Sequence, residues 1–198
     1  MTETAHQDPH HVVCVGDGLA SRRTGATESL ERICRVRHPD RPWRFWHQGD
    51  AGASAGSFLE EAIWRALGQG AGRLILSLGS AEAMDGGFDP VRAADGIRRC
   101  MDLLADKGPK EIWLLLPVPS LWPTESRPGV DDLRVALQAP RGRWNFIDTE
   151  PAAAAFLSAQ SAHPDSAVAL VEDTPYGPQP TGTGALLIAE RIFEAWNT

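Results

Sequence analysis

The chain has 198 residues, 42% hydrophobic and 23% charged, a size and balance that suit one ordered domain with its own core. Its formal net charge of −7 argues against binding to nucleic-acid phosphates and against a polybasic membrane anchor, since both need clustered positive charge. Three cysteines without paired spacing point to reduced, buried thiols in a cytoplasmic protein rather than to a disulfide framework or a zinc site.

Residues 1–11 are polar and lack a basic stretch followed by an apolar run, so a disordered tail without a secretory leader is expected there. Residues 12–198 then read as a single domain. Val12–Val15 is a short apolar strand that ends in the turn Gly16-Asp17-Gly18. Glu28–Arg37 has helical spacing at Leu30, Ile33 and Cys34 and stops before Pro39. Trp43–Trp46 reads as a second strand. Ser54–Leu67 reads as a helix capped by Ser54 or Ser57. Arg73–Leu78 is a third strand. Pro90–Ala105 is a helix with proline in its first turn. Ile112–Leu116 is a continuous apolar strand of the kind buried on both faces of a parallel sheet.

A proline-rich loop follows at Pro117–Gly129, then a short helix at Val130–Leu137 and a fifth strand at Trp144–Ile147. Pro151–Ala162 is alanine-rich and helical. His163–Pro180 reads mostly as loop with a short strand at Ala167–Val171, and Thr181–Trp196 is a final amphipathic helix. No segment is long and apolar enough to span a bilayer. Five strands alternating with helices imply an α/β sandwich with a five-stranded parallel sheet. In such sheets the site lies beyond the carboxyl ends of the strands, which gathers Gly18, Gly49–Gly52 and Gly79–Glu82 around one crevice.

Four blocks in this order carry a resemblance. They are Gly16-Asp17-Gly18-Leu19, then His47-Gln48-Gly49-Asp50-Ala51-Gly52-Ala53-Ser54, then Leu76-Ser77-Leu78-Gly79-Ser80-Ala81-Glu82, and finally Tyr176-Gly177-Pro178-Gln179-Pro180-Thr181-Gly182-Thr183-Gly184. Together they resemble the signature blocks of the SGNH (GDSL-type) hydrolases over nearly the whole chain. The resemblance implies a flavodoxin-like three-layer sandwich. It also implies positions for a serine nucleophile, two further oxyanion donors, and a late aspartate and histidine. Such a set supplies a nucleophile, a base, an orienter and stabilisation of the developing oxyanion.

This chain departs from that set at four positions. Gly18 stands at the nucleophile, Ala81 at the oxyanion asparagine, Tyr176 at the aspartate and Gln179 at the histidine. Gly52, the oxyanion glycine, is kept. A competing register of the last block keeps Asp173 as the acid and puts Tyr176 at the histidine; neither register supplies a histidine. The resemblance therefore implies a catalytically degenerate member, a pseudo-esterase, which does not run serine-ester hydrolysis. Ser21, Ser54, Ser80 and His163 are the residues from which a serine–histidine pair could be rebuilt.

Asp17, Gly18, His47, Asp50, Gly52, Glu82, Tyr176 and Gln179 are expected to line the vestigial crevice, with Trp122 over it. His47 titrates near neutral pH, and beside Glu82 or Asp17 it would make an acid–base pair for other chemistry. The competing reading has His47 fixing loops by bonding a carboxylate, and Asp17 accepting turn N–H groups. Seven tryptophans accompany one tyrosine; most suit core packing, while Trp122 either overhangs the crevice for sugar or acyl stacking or packs down on the fold. No metal and no cofactor is implied; His6, His10 and His11 read as surface polarity in the tail. The expected partner is a small acylated or carbohydrate-type ligand, or a protein, at the crevice. A repurposed acid–base enzyme using His47, Glu82 and Asp17 and a non-catalytic scaffold subunit are the alternatives.

Overall fold

The computed structural model describes residues 8–20, 25–50, 52–58, 61–84, 87–138, 144–161, 169–174 and 177–197, with backbone alone at 57–58, 61–63, 172–174 and 177–179. Five strands form one parallel sheet: β1 (Asp8–Gly16), β2 (Arg44–Gly49), β3 (Ala71–Ser77), β4 (Glu111–Leu115) and β5 (Asn145–Ile147), in the order β2-β1-β3-β4-β5. The helices are α1 (Ala26–Arg37), α2 (Ala55–Phe58), α3 (Glu61–Leu67), α4 (Ser80–Met84), α5 (Pro90–Lys107), α6 (Arg127–Gln138), α7 (Glu150–Ser161) and α8 (Gly182–Trp196). The expected α/β class and five-stranded parallel sheet are what the chain forms.

Alternation along β1 divides the core. Val13 and Val15 point to one face with Leu74, Leu76, Ile112 and Leu114, against α2, α3, α5 and α6. Val12 and Cys14 point to the other with Ile75, Leu115 and Ile147, against α1, α7 and α8. Successive strand side chains take opposite faces, and both faces of this sheet are covered, so β1, β3 and β4 read as unbroken apolar runs. Each fully buried Leu, Ile or Val contributes roughly 1.5–3 kcal/mol relative to exposure.

Two expectations are corrected. β1 begins at Asp8, so residues 8–11 belong to the sheet and not to a tail. Asp8 pairs with Ala71, and Arg44 Nη2 donates to its carboxylate at 3.0 Å. The expected helix at 54–67 is helical at α2 and α3, and residues 59–60 between them lie outside the described residues. The late strand lies at β6 (Val171–Thr174), which pairs antiparallel with β7 (Gly177–Pro180) in a hairpin apart from the main sheet. Among the described residues no helix is long and apolar enough to cross a membrane.

The cysteines are buried and unpaired by disulfide. Burial pushes the Cys34 and Cys100 thiols up to about 12 and raises Cys14 further still. They are packing groups, not nucleophiles.

Candidate functional site

The end of β1 turns on Gly16, whose φ is +131. A Cβ there would lie 1.8 Å from the Ser77 carbonyl oxygen, so only glycine lets β1 run this close to β3. The turn is locked by Asp17 N–H donating to Ser77 O at 2.8 Å and Asp50 N–H donating to Gly16 O at 2.9 Å. It delivers the Asp17 side chain into the protein, where the residue is 1% exposed.

Asp17 Oδ1 accepts from the Ser77 hydroxyl at 2.6 Å and from Leu19 N–H at 3.1 Å. Oδ2 accepts from the Ser80 hydroxyl at 2.8 Å and more weakly from its N–H at 3.4 Å. A buried carboxylate is tolerated when donors surround it. Asp17 is thus a clasp between the end of β1, the end of β3 and the start of α4. Its oxygens are taken up by that work, as in the structural reading of this residue.

Gly18 opens a single helical turn at Gly18–Ala20 and is buried. Beside that turn is a cavity of only about 20 Å³, lined by Asp17, Leu19, Ser77, Ser80, Trp122 and Pro180 among others. One water occupies about 10–15 Å³ on this measure, so an acyl group does not fit. Trp122 is 6% exposed and packs down on the fold instead of overhanging it. Its segment is pinned: Glu150 accepts from Ser120 N–H at 2.9 Å and from the Ser120 hydroxyl, and Arg127 Nε donates to Trp122 O at 2.7 Å. The backbone of β7 lies against α4 and against the 18–20 turn, closing the crevice from the other side.

Gly52 retains its place, but its N–H donates to Asp50 Oδ1 at 3.0 Å. This donor is engaged within its own loop. Ala81 lies on α4 and brings no polar group. Gln179 lies on β7 with its backbone opposite Glu172, one rung from Asp173 opposite Pro178; their side chains and all of Tyr176 fall outside the described residues, as do Ser21 and His163.

His47 does not meet Glu82 or Asp17. Its Nε2 donates to Glu31 Oε2 at 3.2 Å, and its Nδ1 pairs with the Thr27 hydroxyl at 3.0 Å. Phe45 stacks on its ring with centroids 5.8 Å apart. The pair His47–Cys14 in the β1–β2 register puts His47 on the α1 face of the sheet, opposite α5. The acid–base set of His47, Glu82 and Asp17 is therefore not assembled, and the reading in which His47 bonds a carboxylate describes the structure.

Glu82 stands at the wall between the closed crevice and open space. Its Oε1 accepts from Ala55 N–H at 2.5 Å, at the start of α2. Its Oε2 is buried with no hydrogen-bond partner among the described residues. Burial raises its pKa, against the pull of the Ala55 N–H, and the Asp17 carboxylate adds to the rise.

Beyond Glu82 the surface opens into a groove of about 600 Å³ lined by Gly52, Ser54, Glu82, Phe88, Arg92 and Arg99 among others. Its floor is made shallow by α2 approaching α5 at Gly96, where a Cβ would meet Ala55 Cβ at 3.1 Å. Arg92 and Arg99 form no ion pair or side-chain hydrogen bond among the described residues. A second hollow of about 370 Å³ continues along α5, lined by Asp95, Arg98, Arg99, Asp102 and Trp144. The sequence reading missed these α5 residues. Their signal was the i, i+4, i+7 spacing of Arg92, Gly96 and Arg99 on one helix face. Among the described residues no group of three or more His, Cys, Asp or Glu could hold a metal.

No family model matches the chain, and no curated protein matches its sequence. Solved structures do match its fold. An α/β hydrolase from the metagenome of Lake Arreo, Spain, superposes with a TM-score of 0.75 at 17% identity, covering 98% of both chains. An acetylxylan esterase from Geobacillus stearothermophilus gives 0.73 at 15% identity over 96% of this chain and 95% of that one. A member of the lipolytic G-D-S-L family from Veillonella parvula gives 0.68 at 15% identity over 94% and 98%. Variants of the acetylxylan esterase with a serine or a histidine changed to alanine are described as catalytic mutants. The fold is that of SGNH/GDSL-type hydrolases.

Proposed function

We propose that this chain is a non-hydrolytic protein on an esterase fold, which binds a small acylated or carbohydrate-type ligand in the groove between α2, α4 and α5. One observation carries the reading. The place of the nucleophile is held by a buried glycine, Gly18, and the space beside it has closed to about 20 Å³ while the neighbouring groove keeps about 600 Å³. A groove of that volume suits a small ligand. The fold likeness to an acetylxylan esterase supports sugar and acyl chemistry for the ligand class.

Catalysis by the family route lacks its parts at this site. The acyl carbon would meet no hydroxyl at Gly18, no amide at Ala81 and no unengaged N–H at Gly52. Transition-state stabilisation by a remaining donor does not replace a missing nucleophile.

The test has two arms. Hydrolysis of p-nitrophenyl acetate should stay at the uncatalysed rate, and turnover lost on mutating a serine would overturn the reading. In the second arm, acetylated xylo-sugars at about 100 times their dissociation constant should raise the melting midpoint by roughly 5–10 °C. Gly52→Trp should abolish that rise. A Cβ at Gly52 meets nothing nearer than Asp50 Oδ1 at 3.8 Å, so the variant fills the groove without straining the fold.

A further inference from the structure

We propose that the α5 face takes an uncharged oligosaccharide several units long, bound from Glu82 past Arg99 to Trp144; this rests on the binding reading above and adds to it a requirement for chain length. The two hollows share Arg99, so they are parts of one track. From Arg92 to Asp102 the track follows α5 for ~15 Å, at 1.5 Å per residue. That is longer than one sugar ring.

Charge decides between an anionic and a neutral ligand. The track carries Arg92, Arg98 and Arg99 against Glu82, Asp89, Asp95 and Asp102. Arg98 is already paired with Asp95 at 2.9 Å. Carboxylates match or outnumber guanidiniums along the whole length, so an anion gains no excess positive potential here. A polyhydroxylic chain uses both kinds of group at once. Guanidiniums donate in pairs to adjacent hydroxyl oxygens, and carboxylates accept from adjacent hydroxyls. Arg92 and Arg99 bring donors with no partner among the described residues.

Trp144 supplies the other half of sugar recognition, an aromatic face for the C–H side of a ring. Its Nε1 donates to Asp102 Oδ1 at 3.3 Å, which fixes the orientation of the indole. It also packs in part against the core beneath α5, so the platform is rigid. Neither Trp144 nor Arg99 belongs to the signature blocks, so this end of the track extends beyond them.

The experiment is calorimetric titration of the full chain with xylobiose through xylohexaose, with an oligogalacturonate of equal length as the anionic control. Affinity should rise roughly tenfold or more from the dimer to the longer chains. In nitrogen–proton spectra the Trp144 indole signal should move with xylohexaose and stay still with xylobiose. Arg99→Gln should weaken the long ligand about tenfold, and Trp144→Phe should remove the length dependence while keeping core packing. Equal affinity for dimer and hexamer with an unmoved indole would overturn the inference and leave the binding reading standing. So would tighter binding of the oligogalacturonate, or binding of acylated ligands without any sugar chain. Failure of every saccharide and every acylated ligand would overturn both.

Discussion

The Asp17 carboxylate accepts the Ser77 hydroxyl at 2.6 Å, tying together the carboxyl ends of the two central strands β1 and β3. The same carboxylate holds Ser80 and the Leu19 N–H. Asp17→Ala leaves two hydroxyls and two backbone donors, one of them weakly bonded, without their charged acceptor. Hydrogen bonds to a charged group are worth about 1.5–3 kcal/mol each, and relaxation recovers part of that. The expected loss is about 3 kcal/mol, which at this chain size lowers the melting midpoint by roughly 6–12 °C. Urea denaturation of Asp17→Ala and Asp17→Asn checks it; the asparagine variant should lose less.

Gly18→Ser should confer no esterase activity. The hydroxyl would arrive with no base among the described residues, since His47 is bonded to Glu31 and Thr27, and the Gly52 N–H is engaged by Asp50. Hydrolysis of p-nitrophenyl acetate by a variant with unchanged circular dichroism is the measurement. A rate above background would show that an undescribed group completes the site.

Glu82 should make stability fall as pH rises. Its folded pKa lies above the ordinary 4.5 because the carboxyl is buried. The folded state then holds the proton more tightly than the unfolded state. Glu82's contribution is fully present below the unfolded value and is lost as pH rises through the raised folded one. Comparing urea midpoints of wild type and Glu82→Gln from about pH 4 to about pH 8 isolates it: the wild type should lose ground to the variant across that span.

His47→Gln should separate structure from site. The His47 side chain is enclosed between Phe45, Thr27 and Glu31, so losing its fit should cost roughly 1–3 kcal/mol. Ligand affinity in the α5 groove should not change, because the ring lies on the other face of the sheet. A tenfold loss of affinity would place His47 in the site after all.

Gly96→Val tests the groove floor. The added side chain enters where even a Cβ stands 3.1 Å from Ala55 Cβ. Overpacking of this kind costs about 1–3 kcal/mol. Because Ala55 N–H is also what Glu82 holds, pushing α2 away should weaken ligand binding along with stability, which paired denaturation and titration would register.

Much of the fold was legible because burial on both faces leaves a plain mark: Val12–Val15, Leu74–Leu76 and Ile112–Leu116 are unbroken apolar runs. The carboxyl ends of those strands followed from alternation, and with them the neighbourhood of Asp17, Gly52 and Glu82. The face of His47 was decided by strand parity and pairing register. Its partner Cys14 sits on the α1 side, and nothing local to block two discloses that pairing. The closing of the crevice was also illegible. It depends on Ser120 meeting Glu150 across 30 positions of sequence, and a loop rich in proline reads the same whether it stands off or lies down. The α5 groove went unread since lone arginines on a helix normally mark a solvated face.

The clasp at Asp17 separates two meanings that a signature run together in one tetrapeptide. Its aspartate is a girder of the sheet, while its third residue, the nucleophile of the signature it resembles, is Gly18 here and carries no hydroxyl. The aspartate's bracing role depends on no reaction, because it ties the ends of β1 and β3 together where the turn forms. Gly16-Asp17 is therefore a mark of architecture, and ancestry read from it says nothing of turnover; only the position after it can testify to that.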